Sequence, residues 1–207
     1  MANWLDDEFT GSGAVLGRIP DTKAVGSTAW SSGFNNTFVF GGAAVASPFS
    51  PDEITYTPSP PDSHAPHEYV AAWSWKSPPP GGIFFGGKVA EFRFGGEVDN
   101  LIISITTPDD VQFILVMRME YDGMSTTDSV PLVLDTEYPA VLTYASGAQS
   151  LEMFGQTFEL DYQPPSSNRI EQVAVGFCGE AQLSYMRVGG AKTPPFWTEM
   201  VGTHEVP

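Results

Sequence analysis

One cysteine, Cys178, in 207 residues excludes a disulfide within the chain, so stability must come from packing or assembly. Basic residues are nearly as scarce: nine Lys and Arg face 25 Asp and Glu, a formal charge of -16. A surface of that sign repels phosphate backbones, which excludes ordinary nucleic-acid binding. It suits solubility, cation binding or docking on a basic partner, and does not choose among them. No apolar run approaches the roughly 20 residues needed to cross a bilayer, and the opening MANWLDDEF has neither a basic segment nor an apolar core. We therefore expect no membrane anchor and synthesis in the cytoplasm. Helical periodicity is missing as well, and no fixed-period repeat points to a propeller or solenoid.

Hydrophobic residues make up 42% of the chain and aromatics 13%, against 16% charged. That balance describes a folded sheet protein rather than a disordered acidic chain, and the abundant Gly and Pro read as turn punctuation. In EFTGSGAVLGRIPDTKAVGSTAW, Glu8 to Trp30, turn-formers alternate with single large apolar residues. We expect Phe9, Leu16 and Trp30 to be buried and GSG and PDT to form turns. DNLIISITT (99 to 107) and VQFILVMRMEY (111 to 121) are almost continuously β-favouring and predict a central strand pair covered on both faces. About a dozen such strands predict one antiparallel β-sandwich of jelly-roll type over residues 1 to 188. TPSPPDSHAP (57 to 66) and SPPPGG (77 to 82) read as loops, because proline lacks the ladder donor. Cys178, inside VAVGFCG, reads as a small buried residue. Residues 189 to 207, GGAKTPPFWTEMVGTHEVP, read as an extended assembly arm, and its Phe196, Trp197 and Met200 predict packing either on a neighbouring subunit or back on its own sandwich.

The order Phe9, Gly11, Gly13, Leu16, Arg18, Pro20, Asp21, Thr22, Gly26, Trp30 resembles the start of concanavalin A-like (laminin G-like) jelly-roll modules of bacteriophage virion proteins. LTYASGAQSLEMFGQTFELDY resembles the paired strands of that fold that meet at a tight turn, with Phe154, Gly155 and Gln156 where Asn-Gly is usual. IEQVAVGFCGEAQLSYMRV resembles its closing hairpin, with Gly176 and Gly179 around the turn. The resemblance implies a first strand lying beside the last. It also implies a non-enzymatic structural protein of the virion, in the tail, tail tip, fibre or capsid decoration. Its partners would be other virion proteins or repeated copies of itself, without nucleic acid or membrane. The alternative it leaves is a carbohydrate-binding adsorption module for a host surface glycan.

Several residue groups could carry chemistry. FELDYQ places Glu159, Asp161 and Gln163 on one strand face, as paired glycosidase carboxylates would be, but glutamine cannot supply the acid, so a solvated strand face is expected. HAPHE offers His64, His67 and Glu68, too few ligands at a spacing no zinc motif uses. With His204 as the remaining histidine and no Gly-x-Ser-x-Gly elbow, a serine-hydrolase frame is not expected. No cofactor is called for. Calcium is the one cation that Asp6 to Glu8 or Pro108 to Asp110 could take at a loop rim. Tyr69, Trp73 and Trp75 share one face of YVAAWSW. That face is either core or, if exposed, a platform for a glycan or partner.

Overall fold

The computed structural model describes residues 3–24, 29–48, 50–59, 66–81, 87–96, 98–107, 112–145, 148–162 and 168–190. Its sixteen strands, β1 to β16 in chain order, form two antiparallel sheets, and no helix occurs among the described residues. The first sheet runs β14 (Gln156–Leu160), β13 (Ala148–Met153), β12 (Glu137–Ala145), β7 (Tyr69–Lys76), β16 (Gln182–Gly190), β5 (Ala43–Ala46), β4 (Thr37–Phe40), β2 (Gly13–Ala14), with β1 (Leu5–Asp7) also on β16. The second runs β11 (Ser125–Val130), β10 (Phe113–Met119), β9 (Asn100–Thr106), β8 (Lys88–Gly96), β15 (Ile170–Phe177), β6 (Asp52–Tyr56), β3 (Trp30–Ser32).

The core lies between the sheets and is built on aromatic alternation. From β7, Tyr69, Trp73 and Trp75 point inward and are buried. Trp73 meets Phe92 of β8 in the facing sheet, with ring centroids 4.9 Å apart, and Tyr69 stacks on Tyr144 of β12 at 4.6 Å. Each large ring taken from water contributes roughly 2–3 kcal/mol, so this block of rings clamps one sheet to the other. β1 closes the chain, pairing Leu5 with Val188 of β16, which puts the first strand beside the last.

The opening motif is a polar knot set in that core. Asp7 has no solvent exposure and accepts hydrogen bonds from Arg18 Nη2 at 2.8 Å, Trp30 Nε1 at 2.8 Å and the backbone N–H of Phe9 at 2.8 Å. Arg18 also lies over the Phe9 ring, 5.7 Å from its centroid. Phe9 and Trp30 are buried as expected, but Leu16 is 47% exposed. Val15, whose N–H bonds the Thr37 carbonyl and whose own carbonyl accepts from the Arg18 N–H, takes the inward place, and Leu16 stands outward in the turn that follows β2. The expected GSG turn is a bend at Gly11 that leads directly into β2 at Gly13, and both glycines carry positive φ, 91° and 126°, a backbone that glycine adopts without strain.

Two other expectations are corrected. β9 and β10 pair with each other, Ile103 opposite Met117, but they are not fully covered on both faces. β10 lies next to the edge strand β11 and shows Arg118 to solvent. β15 and β16 do not form a hairpin, since they belong to different sheets. The link between them is an arch closed by the Ala181 N–H on the Cys178 carbonyl, with Glu180 at φ 61°. A Cβ on Gly179 would stand 3.0 Å from the Pro48 carbonyl oxygen, so glycine lets the arch pass close to that loop. Strands joined by an arch and strands joined by a hairpin show the same alternation in sequence, which is why the two could not be told apart there. The β13–β14 turn is tight as expected: Phe154 and Gly155 have φ of 59° and 70°, the signs of a type I′ turn.

Candidate functional site

Alternation along the second sheet decides what its outer face presents. Phe92 and Phe94 of β8 face the core, so Glu91 and Arg93 face out. Register sets Glu53 of β6 and Glu91 on either side of Gly176 of β15, and Ser104 of β9 beyond Glu91. Two carboxylates therefore flank a glycine, roughly 10 Å apart in backbone, or two strand spacings. The missing side chain at Gly176 leaves a pocket of about 180 Å³ whose walls include Phe34, Glu53, Lys88 and Glu91.

Phe34 is held at the mouth by a buried carboxylate. Asp52 accepts from the hydroxyls of Thr37 at 2.6 Å and Ser32 at 2.7 Å and from the N–H groups of Phe34 and Asn36 at 3.0 Å. Burial pushes the Asp52 pKa up, but these bonds outweigh it and hold the group below its ordinary 3.8. The loop from Ser32 to Thr37 is thereby fixed, with Asn35 in the left-handed region at φ 54°. Phe34 stays 69% exposed, a ring face pre-set toward the pocket.

Glu91 is likewise occupied. It accepts from Lys88 Nζ at 2.7 Å and Arg93 Nη2 at 3.0 Å. Burial works against its ionisation, but the two cations prevail and keep its pKa below the ordinary 4.5. A carboxylate held ionised in this way cannot act as a general acid. Cys178 also lines the pocket, yet its Sγ donates to the Val89 carbonyl at 3.0 Å and burial pushes the thiol up to about 12. It is an unreactive buried residue, as the sequence suggested.

The groups singled out in the sequence fall elsewhere. Tyr69, Trp73 and Trp75 do share a face, but it is the core face, and no glycan can reach rings so buried. Glu159 and Asp161 are exposed at the end of edge strand β14 in the other sheet, and Gln163 lies outside the described residues. His67 and Glu68 are exposed; His64, His204, Asp109, Asp110, Phe196, Trp197 and Met200 lie outside the described residues. Of the acidic run Asp6 to Glu8, Asp7 is taken by Arg18, while Asp6 and Glu8 both bond Arg187. Among the described residues no three His, Cys, Asp or Glu side chains gather where they could share a metal ion.

A second surface lies outside the first sheet. In β4, Thr37 and Val39 point inward, leaving Phe38 at 49% and Phe40 at 78% exposure. Val45 of β5 sits directly opposite Phe38, and Ala14 of β2 on its other side. The result is an uncovered apolar strip on an acidic molecule.

No protein-family model matches the sequence, and no curated protein does. Solved structures match the fold. A glycosyl hydrolase family protein from Mycobacterium fortuitum superposes with a TM-score of 0.59 at 12% identity, covering 91% of this chain and 100% of that one. A Mycobacterium tuberculosis protein described as an immunostimulatory antigen and pseudo beta-1,3-glucanase gives 0.60 at 11% identity, over 92% and 99%. The lumenal domain of VIP36, solved in a Ca2+/Man3GlcNAc-bound form, gives 0.52 at 10% identity, over 83% and 89%. The fold is a concanavalin A-like jelly roll. Identities this low establish the architecture alone.

Sequence reasoning missed the groove of this jelly roll. AEFRF carried a signal for it, since alternation around Phe92 and Phe94 turns Glu91 and Arg93 outward together. Which strands stand beside β8 was not written there, so Glu53 and Gly176 could not be joined to Glu91.

Proposed function

We propose that the chain is a non-enzymatic structural subunit of a bacteriophage virion, in the tail, tail tip, fibre or capsid decoration, working through contacts between subunits. The observation that carries this reading is the exposed pair Phe38 and Phe40 with half-buried Val45 beside them, because aromatic side chains left on a strongly acidic surface are what a subunit contact would cover. The order of residues from Phe9 to Trp30 supports the virion context. Glu91, held ionised by Lys88 and Arg93, is not the proton donor that a glycosidase would need in the groove. The decisive measurement is quantitative mass spectrometry of gradient-purified particles. A constant number of copies per particle is expected; a chain absent from the particles would overturn the reading.

The pocket over Gly176 favours a second reading, a carbohydrate-binding adsorption module. Phe34 would stack on the apolar face of a sugar ring, and Glu53 would accept hydrogen bonds from its hydroxyls. Phe34→Ala, at an exposed position, and Gly176→Ala, whose added Cβ would lie 3.6 Å from that of Glu91, both leave the fold in place. Glycan-array binding that the two substitutions abolish would support this reading, and binding that survives both would sink it.

A further inference from the structure

Resting on the structural-subunit reading, we propose that the Phe38 and Phe40 face of β4 is the seat for the C-terminal segment, residues 191 to 207, of a second copy of the chain. The strip offers two outward rings two residues apart on one strand, with Val45 beside them. The segment that follows Gly190 is the stretch of sequence best suited to cover it, because it carries Phe196, Trp197, Met200 and Val201 within six residues. Pro194 and Pro195 lower the entropy lost when such a segment is ordered against a surface. Large aromatics on both partners are the usual anchors of a contact that must hold between two like-charged bodies.

The direction of β16 keeps Phe196, the first large apolar residue of the segment, from Phe38 of its own subunit. β5 lies along the start of β16, Val45 opposite Gln182 and Ala44 opposite Leu183, and β4 is one strand further out. From Leu183 the strand runs seven residues to Gly190, away from that place, roughly 23 Å at about 3.3 Å per residue. Beyond β5 the same edge of β16 is taken by β1, Asp7 opposite Met186 and Leu5 opposite Val188. To bring Phe196 back onto Phe38 of its own subunit, six residues would have to reverse direction, retrace that length and cross about 10 Å of sheet. Six extended residues span about 20 Å, which leaves nothing for the reversal. A neighbouring copy has no such restriction.

The test uses full-length protein throughout and reads association by sedimentation velocity up to about 100 µM. The face variant F38S/F40S changes exposed side chains, and the arm variant F196S/W197S changes residues that follow the last strand in sequence; far-UV circular dichroism checks that both fold. The unsubstituted chain is expected to self-associate, and each variant to do so at least tenfold more weakly. An equimolar mixture of the two variants should regain a dimer, because it contains one intact arm and one intact face. A monomeric unsubstituted chain would overturn the inference, as would either variant associating normally, or a mixture that stays monomeric. Loss with the arm variant but not the face variant would place the segment on another surface and leave the virion reading standing, since that reading depends on copy number in particles.

Discussion

At the scale of single residues, two buried carboxylates do most to hold the surface chemistry in place. Asp7 is compensated by the Arg18 fork and the Trp30 indole, and the proximity of Asp7 raises the Arg18 pKa above its already high value. Arg18→Met would leave a buried charge without its counter-ion, so urea unfolding should show a loss of about 3–5 kcal/mol. Adding Asp7→Asn to that variant should recover part of the loss, since the uncompensated charge is then gone. Asp52 makes a prediction in pH. Its folded pKa is depressed below 3.8, so its contribution is present above the ordinary carboxylate range and is lost as pH falls through the folded value. Glu91, depressed below 4.5, acts in the same direction. Melting temperature should therefore fall between pH 5 and pH 3, and Asp52→Asn should flatten that fall; an undiminished slope would show that Asp52 is not the group responsible.

Among the elements, turns and arches are more sensitive than strand faces. Gly155 sits at φ 70° with open space around it, so Gly155→Ala should cost about 1 kcal/mol in thermal denaturation purely through backbone strain. Gly176 lies within β15 outside the left-handed region and has room for a methyl group, so Gly176→Ala should melt close to the unsubstituted protein. The contrast separates a glycine kept for its conformation from one kept for the space it leaves. Phe154 tolerates φ 59° in the same turn while its ring packs on Tyr138 with centroids 4.6 Å apart, a contact that offsets the strain an Asn-Gly turn would not have.

For the whole molecule, a formal charge of -16 sets the terms of assembly. Two such bodies repel over about 10 Å at moderate salt, so a contact between copies has to be apolar and is strengthened by screening. Self-association of the full chain should rise from 50 mM to 500 mM NaCl; association that weakens with salt would instead indicate a charge-paired interface. The meeting of β1 with β16 makes the sandwich depend on both ends of its strand order. Leu5→Asp, which places a charge at a fully buried position in that pair, should destabilise the protein by about 3 kcal/mol or more.

Residue spacing alone determined the all-β sandwich, the shared face of Tyr69, Trp73 and Trp75, the burial of Phe9 and Trp30, and the inert Cys178. Each of these follows from alternation or from turn chemistry, which act over a few residues. The inward choice of Val15 over Leu16, the arch in place of a closing hairpin, and the groove of Glu53, Gly176 and Glu91 were decided only by tertiary structure. A period of two says which residues share a face, but not which face is core, nor which strands lie side by side. The groove depends on the pairing of β6 and β8 along the two edges of β15, and these segments lie far apart along the chain.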